Sequence, residues 1–443
     1  MTITWRVPLL VLAGIVPVVL RPTLGTAAAW FLLVVVLVIV DVLSAPKPAK
    51  LEITRLRLGG IRLGESTTSE LMVRSPARRV RALVRDAWQP TAGAGTTASG
   101  SASATGNRHR IRLDRGDSTR LRTPLRPRRR GDLRALGVTV RAFGPLGLGA
   151  RQRTIPVPGS VRVLPAFESR KHLPSRLQRL RELDGRAAVR VRGQGTEFDS
   201  LREYVRGDDV RSIDWRTTAR SRTVVVRTWQ PERDRRVVLV LDTSRTSAGR
   251  VEGAGGGVPR LDSAMDAGLL LAAIASRAGD RIDFIAGDLR VRSRVRLAGQ
   301  RDVTQRLQEA MADLEPVIAE ADWSDLAGAV AGLGRHRALV VLLTPLDPHA
   351  IEESLLPVLP VLTQHHRVVL ASVRDPELEA TAASRDTLDD VYAAAAAEQT
   401  LRRRDHTAAM LRILGVDVVD ADAESLPPAL ADHYLQLKAT SQL

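Results

Sequence analysis

The sequence predicts a multidomain protein: a transmembrane helical hairpin at the N-terminus, a β-sandwich-like middle, and a C-terminal doubly wound α/β domain. Three observations carry that reading. Two uncharged apolar runs open the chain. Short strand-like stretches follow, parted by Gly, Pro, Asp and Ser. From Val237 onward, buried-strand and helix patterns alternate. A chain of 443 residues exceeds one ordinary domain of about 150, and 44% hydrophobic residues suffice for real cores.

The hairpin is expected over residues 1–44. Val7 to Leu20 is uncharged, Arg21-Pro22-Thr23 breaks it, and Leu24 to Val40 is uncharged again. Seventeen residues are at the short end for a spanning helix. The first run reaches across only if Arg6 snorkels. Lys47, Lys50, Arg55 and Arg57 form a basic flank that reads as cytoplasmic. The expectation is a multi-pass protein of the inner (plasma) membrane with the bulk of the chain in the cytoplasm. A signal peptide cut near Ala27-Ala28-Ala29 is the rival, disfavoured because the apolar run continues through that site.

Residues 45–167 read as the β-rich domain, from stretches such as Leu51-Glu52-Ile53, Val80 to Val84, Ile111-Arg112-Leu113 and Val138-Thr139-Val140. Thr91 to Gly106 reads as a flexible loop. Residues 168–236 form a linker and a charged segment, and residues 237–443 the α/β domain. In that domain Val237 to Leu241, Ile282 to Ile285, Ala338 to Leu343, Val368 to Val373 and Val416 to Val419 read as strands. Leu261 to Ala278, closed by Gly279, reads as a helix. Short buried strands alternating with helices predict a parallel sheet covered on both faces.

Net charge is +17 and pI about 11.3, which raises the question of an acidic partner. The only lysines are Lys47, Lys50, Lys171 and Lys438. Arginine dominance beside abundant Ala, Gly, Val and Leu reads as the bias of a GC-rich genome, inflating arginine everywhere. Nucleic-acid readers add stacking aromatics, yet aromatics are 3%, so nucleic acid is not expected. A lipid-surface contact ranks above it, with Arg126 and Arg128-Arg129-Arg130 as its candidate. There are no cysteines, which excludes disulfides and thiolate chemistry.

The densest segment reads Gly193, Gly195, Glu197, Phe198, Arg202, Tyr204, Gly207, Asp208, Asp209, Arg211, Ile213, Asp214, Trp215, Ala219 and Arg220 in order. Acidic groups interleave with arginines, as a network of bidentate pairs requires. Tyr204 and Trp215 are expected to cover it. The alternative is that Glu197, Asp208, Asp209 and Asp214 act as acids and bases on a cell-envelope substrate. No His or Cys stands near them, so nucleophile–base logic lacks a partner.

This segment resembles the signature of the domain of unknown function 58 family. The resemblance continues into Trp229, Glu232 and Arg233, and returns at Val373-Arg374-Asp375-Pro376 and Gly415 to Val419. Phe143-Gly144-Pro145-Leu146-Gly147-Leu148 looks like the family's turn before the last sandwich strand. The resemblance implies a membrane-anchored protein with a von Willebrand factor A-like (Rossmann-type) domain. It also implies partnership with a MoxR-type AAA+ ATPase and other membrane proteins.

Asp242-Thr243-Ser244-Arg245-Thr246 resembles the Asp-x-Ser-x-Ser metal-ion-dependent adhesion motif. A carboxylate and two hydroxyls at alternate loop positions suit a hard cation such as Mg²⁺, at the edge where open α/β sheets bind ligands. Ser324 and Asp347 are the candidate ligands from other loops, although Pro345 stands where many relatives of this fold carry the aspartate. The alternative is a strand-end turn capped by Asp242. No Gly-x-x-x-x-Gly-Lys loop is present, so ATP hydrolysis by this chain is not expected. The functional expectation is a membrane-anchored, non-enzymatic binding or scaffold protein.

Overall fold

The computed structural model describes all residues except 1, 96–105, 191–196, 207, 231–234, 252–256, 298–301, 335, 441 and 443. Helix and sheet are mixed, and the chain divides into two compact units, Met1–Leu164 and Pro165–Leu443.

Among the described residues, the first unit carries one helix long and apolar enough to cross a membrane, Leu24–Ser44. Its 21 residues rise roughly 30 Å at 1.5 Å each. The Thr23 hydroxyl starts it by accepting the Thr26 N–H at 3.3 Å. A second crossing by Val7 to Leu20, and with it a multi-pass protein, is not supported. That stretch forms two short helices, Arg6–Ala13 and Ile15–Leu20, too short together to qualify as a span. They lie beside the long helix. Trp30 Nε1 donates to the Leu10 carbonyl at 3.2 Å, and a Cβ at Gly14 would collide with the Trp30 ring.

The rest of this unit is two sheets. Glu52–Arg55, Thr67–Arg74 and Ser118–Leu125 form the smaller, antiparallel one. Val80–Trp88, Arg108–Leu113, Gly131–Phe143, Gly149–Ile155 and Ser160–Leu164 lie in the larger. Period-two alternation places the core: Val80, Ala82 and Val84 are buried while Arg81 and Arg85 are exposed. Leu71, Val73 and Leu121 of the small sheet join Ile111, Val138 and Val140 of the large one in a single apolar cluster. One buried ion pair, Arg55 to Asp86 at 2.7 Å, is completed by the Trp88 indole N–H at 3.1 Å.

Asp41, near the end of the long helix, is fully buried. Its carboxylate accepts the N–H groups of Leu146, Leu148 and Gly149 at 2.7, 2.7 and 2.8 Å. The glycines of this turn let the helix approach. A Cβ at Gly144 would strike the Asp41 carboxylate, and one at Gly149 the Val42 side chain.

The second unit is built on a six-stranded sheet. Its order is Val291–Arg296, Arg281–Gly287, Arg236–Asp242, Leu339–Leu343, Arg367–Val373, Val416–Ala421. All are parallel except the edge strand Val291–Arg296. The inner strands are continuous apolar runs because both faces are covered. Arg260–Arg277 and Leu426–Ala439 bury one face, where Leu239, Phe284 and Tyr434 meet. Trp323–Ala331 packs on the other, where Val240, Ile285 and Leu342 meet. Gly279, at φ +80°, ends the Arg260–Arg277 helix. The chain builds outward from Arg236–Asp242 on one side, then returns to add Leu339–Leu343 on the other. The order therefore reverses between these two strands, and the crevice of an open α/β sheet lies at their carboxyl ends.

Candidate functional site

Asp242 closes the strand Arg236–Asp242 and Thr344 follows Leu339–Leu343, so the reversal brings them together. The Thr344 hydroxyl donates to Asp242 Oδ2 at 2.7 Å. Thr246 Oγ1 donates to the same oxygen at 3.0 Å, and the Ser244 backbone N–H reaches Oδ1 at 2.7 Å. Ser244 Oγ and Thr246 Oγ1 are 3.0 Å apart. All four residues are buried. Burial pushes the Asp242 carboxyl above the usual carboxylate range, while hydrogen bonds from Thr344, Ser244 and Thr246 pull it back.

The surrounding loops are tied to this one. The Arg245 N–H donates to the Ala319 carbonyl at 2.8 Å, and the Val317 N–H to the Thr243 carbonyl at 2.9 Å. The Thr243 hydroxyl donates to Asp288 at 2.9 Å, and Arg245 pairs with Glu320 at 2.7 Å.

The site therefore gathers Asp242, Ser244 and Thr246 and adds Thr344. Ser324 and Asp347 have other surroundings. Ser324 is exposed in the first turn of its helix, its N–H bound to Asp322 at 2.9 Å. Asp347 caps the next helix by accepting the Ala350 N–H at 3.0 Å. Thr344 was readable in the sequence as a hydroxyl one residue past a buried strand. Pairing it with Asp242 needs the strand order. One carboxylate and three hydroxyls are hard oxygen donors of the kind Mg²⁺ accepts. Among the described residues, no three His, Asp or Glu side chains form a metal-holding group.

The signature segment lies elsewhere on the second unit. Glu197–Glu203 pairs antiparallel with Val225–Gln230, which puts Glu197 opposite Gln230 and Phe198 opposite Trp229. Arg202 grips Asp208 with two bonds of 2.8 and 2.7 Å, and that guanidinium, then the Val205 N–H, holds the Asp208 carboxyl below its usual range. Asp214 is held low first by the Thr217 N–H and then by Arg227, at 2.9 and 2.8 Å. Asp209 accepts the Arg211 N–H at 2.9 Å. Ile213 bridges to Val226, and the Ala219 N–H bonds Trp215 O at 3.0 Å.

Two expectations about this segment need correction. Arg220 is exposed and, among the described residues, its guanidinium is in no ion pair; Arg227 is the partner of Asp214. Trp215 gives no apolar cover, being 66% exposed, with Val205 at 61% and Val210 at 59%. Tyr204 is half-buried. Gly193, Gly195, Gly207, Glu232, Arg233 and most of the 91–106 run lie outside the described residues.

No curated protein matches the chain. Among solved structures, the ASH/PapD-like domain 7 of human CEP192 is 17% identical, covering 27% of this chain and 91% of its own at a TM-score of 0.19. A non-cellulosomal cohesin from the archaeon Archaeoglobus fulgidus is 11% identical, covering 28% and 96% at 0.18. The family model described as protein of unknown function DUF58 matches residues 200–409, spanning both the ion-paired segment and the Asp242 loop, and supports the DUF58 family for this chain.

Proposed function

We propose that this chain is a membrane-anchored binding protein whose second unit presents the Asp242 crevice to a protein partner. The convergence of Asp242, Ser244, Thr246 and Thr344 at the strand-order reversal is the observation that carries this reading. Open α/β sheets bind their ligands there. The sheet order, with one antiparallel edge strand, suits a von Willebrand factor A-like domain. Mg²⁺ held by these oxygens, with only one carboxylate to neutralise it, retains attraction for an acidic group on the partner. The family resemblance makes a MoxR-type AAA+ ATPase the first partner to test, in assembly or maturation of a client complex.

The anchor in this reading is Leu24–Ser44, with Arg6–Leu20 folded back beside it as a shorter arm that does not qualify as a second span. Both arms begin or end on one strand: Thr2 and Ile3 pair with Ala150 and Gly149, and Arg151 donates to the Val42 carbonyl at 2.9 Å. That supports both arms meeting on the side of the β unit, and the basic residues Lys47, Lys50 and Arg57 just past the long helix support that side being the cytoplasm. The enzymatic alternative is weaker. A catalytic acid near neutral pH needs a raised carboxyl, whereas Asp208 and Asp214 are held low by their donors.

Calorimetric titration of the full chain in detergent with Mg²⁺ and Mn²⁺, beside Asp242→Ala, tests the site. Heat of binding in the wild type alone, and capture of the ATPase that EDTA weakens, is the expected result. Equal heats and EDTA-indifferent capture would sink the adhesion-site reading.

A further inference from the structure

The positive charge of the chain is not spread evenly. Residues 45–164 hold 25 Lys and Arg against 7 Asp and Glu, a net of +18, while the whole chain carries +17. The remaining residues are thus close to neutral, at 41 basic against 42 acidic. A genome-wide arginine bias does not produce such a difference between units of one chain.

Strand register shows where these arginines sit. Arg81 lies directly opposite Arg112, and Arg85 opposite Arg108. All four side chains are exposed on the outer face. Among the described residues, none of the four is in an ion pair. Like charges facing each other across a strand pair destabilise a sheet, so the fold gains nothing from this arrangement. The turns at the same end add exposed Arg78 and Arg115, joined through the Ser75 N–H to the Asp117 carbonyl at 3.0 Å. One arginine there, Arg79, is neutralised by Asp114.

This end of the unit is also where the membrane helix attaches. Ala82 registers with Ala142, Phe143 with Ala150, and Ala150 with Thr2. The Asp41 carboxylate binds the turn immediately beside them. Arg126 and Arg128 to Arg130 lie at the opposite end, just before Gly131. The eleven steps from Gly131 to Ala142 extend roughly 35 Å at 3.3 Å each, so the cluster expected to meet lipid is on the far side from the anchor.

We propose that the anchor-bearing end of the β unit is a docking surface for anionic phospholipid headgroups, with Arg78, Arg81, Arg112 and Arg115 as its phosphate-contacting side chains. The proposal rests on reading Leu24–Ser44 as a membrane anchor. The anchor fixes the surface within reach of headgroups, and guanidinium groups match phosphate oxygens with paired donors. Basic segments beside a membrane helix are drawn to anionic lipid, and the attraction fades within a Debye length.

The native chain has no cysteine, so one fluorophore can be placed cleanly. The full chain with Ala77→Cys, labelled with an environment-sensitive dye, is put into lipid nanodiscs. One set is phosphatidylcholine, the other contains a third phosphatidylglycerol. A Ser66→Cys label marks the far end, since Thr67 pairs with Leu125 there. Blue-shifted emission is expected for the position-77 label in anionic discs only. It should vanish in R78Q/R81Q/R112Q/R115Q and at 0.5 M salt. That variant removes like-charge contacts, so its melting temperature should not fall. Equal emission in both lipids, or an equal shift at position 66, overturns the proposal. A chain that leaves neutral discs yet binds anionic ones would refute the anchor and keep the surface. A chain that joins neither removes both.

Discussion

Thr344 and Asp242 are 102 residues apart, yet the threonine hydroxyl donates to the buried carboxylate at 2.7 Å. This bond joins the ends of the two strands at which the sheet order reverses. Removing it in Thr344→Val leaves a buried acceptor short of a donor, at a cost of about 1–3 kcal/mol. Chemical denaturation of the full chain in detergent should show that loss, together with weaker Mg²⁺ stabilisation.

Asp242 also sets a pH dependence. Its folded carboxyl is raised by burial, so its contribution is present below the unfolded carboxylate range and lost as pH rises through the folded value. The cation-free protein should therefore lose stability as pH rises out of the unfolded carboxylate range. Asp242→Asn should be at least as stable as wild type without Mg²⁺, and indifferent to its addition. Melting curves at pH 7.5 with and without the metal check both points, and a wild type unaffected by Mg²⁺ would contradict the pair.

Asp266 provides a second, separable titration. Burial raises its carboxyl to about 6 against two donors from Ser169, first the hydroxyl and then the N–H. Its stability contribution is again full below about 3.9 and lost as pH rises through about 6. Relative to Asp266→Asn, wild type should lose on the order of 2 kcal/mol between pH 4 and pH 7.5. Parallel pH profiles of the two proteins would count against this.

In the signature segment, Asp214 and Arg220 should behave differently. Asp214→Ala frees Arg227 and uncaps the turn at Thr217, so the melting temperature should fall. Arg220→Ala should leave it unchanged, because the exposed guanidinium holds no carboxylate. An equal drop for both would mean that Arg220 has a partner in the folded protein.

Much of the second unit was legible in the sequence, because fully buried strands read as apolar runs. Val237 to Leu241 was read, and the strand is Arg236–Asp242; Leu261 to Ala278 was read, and the helix is Arg260–Arg277. The edge strand Val291–Arg296 was missed. Its Val and Arg alternate over a half-exposed face, which resembles a charged loop. Thr344 and Asp41 depend on partners about a hundred residues away, and no local pattern encodes such pairing. The charge difference between the units was countable from the start, but the whole-chain value conceals it.

The bond of Asp41 to three N–H groups of the 144–149 turn has a mechanical consequence. A helix advances 1.5 Å and turns 100° per residue, so a slip of one residue would carry the carboxylate off all three donors and leave a bare buried charge. The helix can neither slide like a piston nor spin on the β unit. In the proposed anchored state, a pull on the β unit would reach the bilayer as a tilt of the helix axis, with the β unit as the lever arm.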